Sequence, residues 1–235
     1  MQLFYNGDLS SDHKDIRFSK EESRHIIKVL RKSTGDQLFI TNGQGDLFTA
    51  EISVADTKNC IANIIAYETK ASRPYKLHMA VAPTKSNDRF EWFLEKATEI
   101  GVDEITPIIC DNSERRVIKT ERLEKIILSA MKQSLSCYLP ILNSATPVSS
   151  FMEGQIKGQK FIAHCEDSHK ASFKTEIEPA SHVTILIGPE GDFSIKEIDL
   201  AIQHSFKPVS LGSSRLRTET AAITACHTVA LMNEV

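Results

Sequence analysis

Residues 183–194 read VTILIGPEGDFS, and residues 208–225 read PVSLGSSRLRTETAAITA. Each passage is a short apolar run that stops at a glycine and then opens into a helix signal. In the first, Ser194 and Glu197 stand at capping-box spacing. In the second, Thr218, Glu219 and Thr220 supply caps and negative charge to an alanine-rich helix. Short apolar runs of this kind, bounded by turns, predict strands buried on both faces, as in a parallel sheet covered by helices. Ligands of open parallel sheets bind at the carboxyl ends of the strands, and glycine there leaves backbone polar groups uncovered. Two such ends about twenty residues apart predict adjacent walls of one pocket. An ordinary turn between strand and helix explains either passage alone. It does not explain two arginines, Arg215 and Arg217, with Leu216 between them. Neither passage is a P-loop, because Gly191 is not followed by Lys-Ser/Thr, and G-x-G-x-x-G is absent.

Working outward, residues 76–82, 104–110 and 160–166 read as further strands, and 87–101, 120–135, 194–205 and 218–232 as helices. Phe90, Phe93, Leu94, Ala97 and Ile100 form the apolar stripe of the first helix, and Gly101 stops it. Trp92 lies off that stripe. Strands alternating with helices predict an α/β domain over 74–235. Residues 68–75 form a linker punctuated by Pro74. Before it, residues 1–70 read mostly as strands, with a hairpin over 36–54 that turns at Asn42-Gly43-Gln44-Gly45. A helix over 20–32 interrupts them. Ile26, Ile27 and Leu30 lie on its inner side, and Arg24, Lys28 and Arg31 recur on another. The expectation is a small β-barrel with one helix.

The 235-residue chain is 41% hydrophobic and 25% charged, with a net charge of −3. Those values suit a soluble globular protein and exclude a global positive field, so a nucleic acid must be held by local basic patches. No apolar run is long enough to span a membrane, and the first fifteen residues lack the pattern of a signal peptide. Five scattered cysteines without a C-x-x-C pair indicate neither a zinc site nor a disulfide framework, which fits a reducing cytoplasm.

The two glycine passages, taken with HIIKVLRKSTGD (25–36), APTKSNDRFEWFLEKATEIGVDEITPI (82–108) and SERR…R…AMKQS…YLP (113–140), closely resemble the ribosomal RNA small subunit methyltransferase E family. The resemblance covers nearly the whole chain. It departs at Ser213-Ser214, beside Arg215, and at Leu135-Ser136-Cys137, where the family often has an arginine after the KQS stretch. No basic contact near Gln133 is therefore carried over.

The resemblance implies an α/β SPOUT fold with a C-terminal trefoil knot, plus a small N-terminal PUA-like β-barrel that binds RNA. Its cofactor is S-adenosyl-L-methionine, with no metal. Three strand-end loops would hold it: Cys165 and Glu166; Ile187, Gly188, Pro189, Glu190 and Gly191; and Leu211, Gly212, Leu216, Arg217, Thr218 and Ala221. The implied reaction methylates N3 of a uridine in 16S ribosomal RNA, within the small ribosomal subunit. Arg217 would stabilise charge on the uracil oxygens, with Arg215 second. Glu219 would orient an arginine, act as a base, or serve only as helix N-terminal charge. Candidate RNA contacts are Arg17, Arg24, Lys28 and Arg31 in the first domain and Lys85, Arg89, Arg115 and Arg116 in the second; Lys119 and Arg122 extend the latter cluster. Solvated helix faces are the alternative for these cations. A homodimer is implied, with Ala221, Ala222, Ala225 and Ala230 of the last helix suited to close packing. His164 ends a strand near the pocket. It cannot form a nucleophilic pair with Cys165, because adjacent strand residues point to opposite faces. A SPOUT enzyme acting on another ribosomal or transfer RNA nucleotide, and a non-catalytic RNA-binding assembly factor, remain as alternative readings. A nicotinamide enzyme lacks its glycine pattern.

Overall fold

A computed structural model describes residues 1–166 and 170–234; the end of the 74–235 domain and residues 167–169 within it lie outside the described residues. The chain forms two compact units. The first is Met1–Ser72 with Met131–Leu139, and the second is Arg73–Ala130 with Pro140–Val235. Residues 131–139, inside the stretch 74–235 expected to form one α/β domain, join the first unit.

The first unit contains β1 (Leu3–Tyr5), β2 (Asp15–Arg17), helix α1 (Lys20–Arg24), β3 (Gln37–Thr41), β4 (Asp46–Val54) and β5 (Ile61–Thr69). Strands β3 and β4 form the expected antiparallel hairpin, and the sheet runs β1-β3-β4-β5-β2. Register shifts at Thr49/Ala50 and Ile52/Val54 mark irregularities that bend β4 and β5. Phe4 of β1 and Ile16 of β2 share one core with Phe48 and Ile52, although those strands end opposite edges of the sheet. Among the described residues β1 and β2 do not pair, so the sheet wraps its core without closing by hydrogen bonds. Full burial of each large side chain, such as Phe48, contributes about 1.5–3 kcal/mol.

The helix expected over 20–32 is shorter. After α1 the chain widens into a π-turn, His25–Val29, and the Leu30 amide donates to the His25 carbonyl at 2.9 Å. Ile26 is buried and Ile27 and Leu30 are partly so, while Arg24, Lys28 and Arg31 are exposed. Arg31 ends the turn with φ 55°.

The second unit runs β6 (Lys76–Val81), α2 (Asn87–Ile100), β7 (Glu104–Ile109), α3 (Thr120–Gln133, whose residues from Met131 on fall in the first unit), β8 (Ile141–Leu142), β9 (Thr146–Pro147), α4 (Val148–Glu153), β10 (Gln159–Ala163), β11 (Ala171–Ser172), α5 (Phe173–Glu176), β12 (His182–Ile187), α6 (Ile195–Gln203), β13 (Lys207–Ser210) and α7 (Thr218–Met232). Its strands are all parallel, in the order β11-β13-β10-β12-β6-β7-β8, with β9 beside β7. Val183 to Ile187 are buried without interruption, as a strand covered on both faces requires.

Helix α7 packs on α2, β6 and β12. Ala222 and Ala225 are fully buried there, and Cys226 lies 3.9 Å from the Ala97 carbonyl. Burial pushes the Cys226 thiol up to about 12, so it is inert. The small residues expected to serve a dimer therefore serve packing within one chain at Ala222 and Ala225. Trp92 is 44% exposed on α2. Among the described residues no helix is long and apolar enough to cross a membrane.

Candidate functional site

Strand pairing builds the site. Ala163 at the end of β10 is in register with Ile187 of β12 on one side and Val209 of β13 on the other. Three adjacent strands therefore end level, and three loops leave the same edge of the sheet side by side. The strands of the two glycine passages, β12 and β13, are not paired with each other, because β10 lies between them, but their loops meet as walls of one cleft.

Between these loops lies a cleft with two lobes. The larger, about 380 Å³, is lined by Ala163, His164, Cys165, Lys170 and the run from Val209 to Leu216. The smaller, about 290 Å³, is lined by Ile187, Gly188, Pro189, Glu190, Asp192, Arg217 and Thr218. Ala163, Cys165, Arg215, Leu216 and Ala221 border both. Volumes in this range suit a small organic ligand. Gly212 has φ 142° with no atom within 4 Å of a Cβ added there, which leaves the wall of the larger lobe bare.

Polar contacts hold the walls together. The Thr218 hydroxyl donates to the Gly188 carbonyl at 3.0 Å, tying the loop after β13 to that after β12. The Cys165 amide donates to Asp192 Oδ2 at 2.7 Å, tying in the loop after β10. Asp192 itself has φ 63°, a left-handed conformation that aspartate tolerates. Ser194 and Glu197 form the predicted capping box. The Lys85 amide donates to Glu190 Oε1 at 2.9 Å, and Arg115 donates to the Lys85 carbonyl at 2.8 Å. Lys170 donates to the carbonyls of His164 and Glu166.

Eleven of the thirteen expected cofactor residues border the cleft; Glu166 and Gly191 stand outside its lining. Arg215 and Arg217 are exposed at the mouth, with no side-chain hydrogen bond or ion pair between described residues. Glu219 is buried behind the lining. Its Oε1 lies 3.7 Å from Arg89 Nε, and its Oε2 has no hydrogen-bond partner. The arginine beside Glu219 is thus Arg89 of α2, neither of the two in its own loop. His164 is buried with both ring nitrogens unpartnered. Burial, reinforced by the Lys170 ammonium, holds its pKa below the ordinary imidazole value, so the ring is neutral at pH 7.

The expected RNA-contacting cations fall into two kinds. Arg17, Arg24, Lys28 and Arg31 of the first unit are exposed, without a side-chain partner among the described residues. Those of the second unit are engaged. Lys85 pairs with Glu114 at 2.9 Å, Arg89 faces Glu219, Arg115 holds Lys85, and Arg116 donates to the Asp111 carbonyl. Arg122 pairs with Glu91 at 2.7 Å.

Sequence reasoning missed Asp192, Lys170 and Asn112. Asp192 and Lys170 border the cleft, and Asn112 donates to the carbonyls of Gly191 and Asp192 at 3.1 Å each. Single polar residues in loops follow no periodicity, and only the capping-box serine two residues after Asp192 hinted that this turn is built. Among the described residues no group of three or more potential ligands could hold a metal.

Two family descriptions match the chain: an RNA methyltransferase domain over residues 71–230 and an RNA methyltransferase PUA domain over residues 18–65. Ribosomal RNA small subunit methyltransferase E of Buchnera aphidicola subsp. Acyrthosiphon pisum is 30% identical over 95% of this chain and 90% of its own. The crystal structure of a probable rRNA-methyltransferase from Porphyromonas gingivalis is 41% identical, with TM-score 0.90, covering 98% of this chain and 99% of its own. A putative methyltransferase from Legionella pneumophila, in complex with the bound cofactor SAM, is 30% identical with TM-score 0.87, covering 98% and 97%.

Proposed function

Because this chain belongs to the RNA methyltransferase family, among the ribosomal RNA small subunit methyltransferase E proteins, we propose that it methylates N3 of a uridine in 16S ribosomal RNA with S-adenosylmethionine. The observation that carries the reading is the level ending of β10, β12 and β13 around one two-lobed cleft.

The residues present fit such a cofactor. Leu211, Leu216 and Ile187 give apolar faces for a flat ring, and the bare backbone at Gly212 admits close approach. Backbone groups from Leu211 to Leu216 and from Gly188 to Glu190 would hold its polar edges. Leaving such groups unpaired in the bound state is costly, so the cleft discriminates against analogues. Bound there, S-adenosylmethionine supplies an electrophilic methyl group.

The chain's own part is binding, orientation and charge. Uridine N3 carries a proton on the pairing edge, so the base must be unpaired or flipped out. As N3 gives up that proton to solvent hydroxide at the open mouth, negative charge grows on the uracil oxygens. Arg217, free at the mouth, is the group placed to meet it, with Arg215 beside it. Glu219 orients Arg89 across α7 and α2. Its buried carboxylate is better suited to fixing a neighbour than to collecting a proton from a base outside.

Arg17, Arg24, Lys28 and Arg31 run along phosphates, and their contacts weaken with salt. The working form is a cytoplasmic homodimer whose substrate is the small ribosomal subunit. The same reading gives the second unit a C-terminal trefoil knot: β13 enters between β11 and β10, and α7 then returns across α2, β6 and β12.

The test is labelled methyl transfer to small ribosomal subunits from a strain lacking this gene, followed by mapping of the modified base. Label on N3 of one 16S uridine is expected. Label confined to transfer RNA, or to another ribosomal base, moves the substrate; no label anywhere overturns the reading.

A further inference from the structure

The turn at residues 188–192 does not hold its shape alone. Asp192 is left-handed, and its carboxylate accepts from the Cys165 amide and from its own Phe193 amide at 2.9 Å. The carbonyls of Gly191 and Asp192 both point to one donor, Asn112 Nδ2. A Cβ at Gly191 would come 3.1 Å from Asn112 Cβ, so the two loops already touch. Asn112 belongs to the loop after β7, and it borders neither lobe of the cleft.

That loop is itself anchored. The Asp111 amide donates to Glu197 Oε1 at 2.9 Å, and Asp111 Oδ2 accepts from the Ser194 hydroxyl at 2.7 Å. Ser113 Oγ accepts the Cys110 amide at 2.9 Å, and Arg116 donates to the Asp111 carbonyl. Asn112 therefore sits on a braced segment and presents one amide to two carbonyls of the turn that walls the smaller lobe. Asp192 then carries the position onward to the loop after β10. Three loops meet at one aspartate, and Asn112 fixes that aspartate from outside.

We propose that Asn112 is a positioning residue for the cofactor, setting the Gly191–Asp192 turn and, through the Asp192 carboxylate, the backbone at Cys165. The proposal rests on the cofactor reading above. It does not concern the RNA, because Asn112 and Asp192 act on the cleft wall and not on the arginines at the mouth. An asparagine amide is required chemically. Asn112→Asp would set a carboxylate against two carbonyl oxygens near the Asp192 charge. Asn112→Ala removes the donor alone, and Asn112→Gln retains it on a longer arm.

The measurement is calorimetry with S-adenosylhomocysteine on the full chain, with steady-state kinetics on small ribosomal subunits beside it. Misplacement of a site wall from outside costs up to about a hundredfold. Asn112→Ala should weaken binding about tenfold and raise the cofactor KM alike, with kcat at saturating cofactor and the melting temperature within error of wild type. Asn112→Asp should be weaker still, and Asn112→Gln should recover part of the loss. Asp192→Asn should weaken binding similarly, and the double variant with Asn112→Ala should fall well short of the product of the two, because both act along one path.

Asn112→Ala binding within twofold of wild type would overturn the proposal, as would a parallel fall in melting temperature or fully multiplicative losses. Wild-type protein that binds no cofactor would overturn the reading beneath it, and this inference with it.

Discussion

Arg217 is the single side chain on which the chemistry leans most. It is exposed and makes no side-chain bond within the described residues, so removing it should leave the fold unchanged. Losing one donor that meets developing charge costs about 10²–10³ in kcat. Arg217→Ala should lose methyl transfer to that extent with an unchanged melting curve; wild-type turnover would refute the role. His164 makes a different expectation, on stability. Burial first, and the Lys170 ammonium second, hold its folded pKa below the unfolded value of about 6.5, against the opposing pull of Asp192 and Glu166. Between those two values the unfolded chain binds the proton and the folded chain does not. The stabilisation is therefore complete above about pH 6.5 and is lost as pH falls through the folded pKa. Thermal melting from pH 7 to pH 5 should show a falling midpoint, and His164→Gln should flatten part of the slope. His78, which burial also lowers against the pull of Glu104, contributes in the same direction. A slope untouched by His164→Gln would remove His164 from the account.

At the scale of elements, patterning was readable where burial follows a period. Helices α2 and α7 fall where the apolar stripe and the Thr-Glu-Thr signal put them, and the capping box at Ser194 is formed. Ser194 also donates to Asp111, so Ser194→Ala should cost about 1–3 kcal/mol in a urea titration, cap and charged partner together. The π-turn after α1 was not readable, because widening the spiral by one residue leaves Ile26, Ile27 and Leu30 on the inner side under either geometry. Ala222 and Ala225 of α7 are ambiguous in the sequence for a related reason. Small residues announce a close neighbour without saying whether it lies in the same chain, and here α2 supplies it. The cations after α1 can be tested as a group. Lys28→Glu with Arg31→Glu should weaken RNA binding by an order of magnitude or more at moderate salt and leave cofactor binding within twofold. Equal losses in both assays would make this segment structural.

Across the whole molecule, the linker near Pro74 was legible from its composition, and the parallel sheet was legible from strands alternating with helices. The return of residues 131–139 to the first unit was not. That segment carries no glycine or proline cluster at its start, and its attachment consists of contacts distant in sequence. The Gly45 amide donates to the Cys137 carbonyl, and the Leu139 amide to the Gly43 carbonyl, each at 2.9 Å. Tyr138 donates to the Lys70 carbonyl at 2.7 Å, and Thr41 to the Cys137 carbonyl at 3.3 Å. Cys137 is buried with Leu3 and Leu47 in a small apolar cluster of its own. A fragment ending at residue 72 would expose Leu3 and Leu47 and leave the Gly43 and Gly45 groups to water. It should therefore unfold more readily than the same fragment carrying residues 131–139 on a glycine-serine linker. The expected difference is about 1–3 kcal/mol, a shift of roughly 1 M in urea midpoint. Coincident urea curves for the two fragments would show that residues 1–72 fold independently, and that the later segment only rests on a surface already complete.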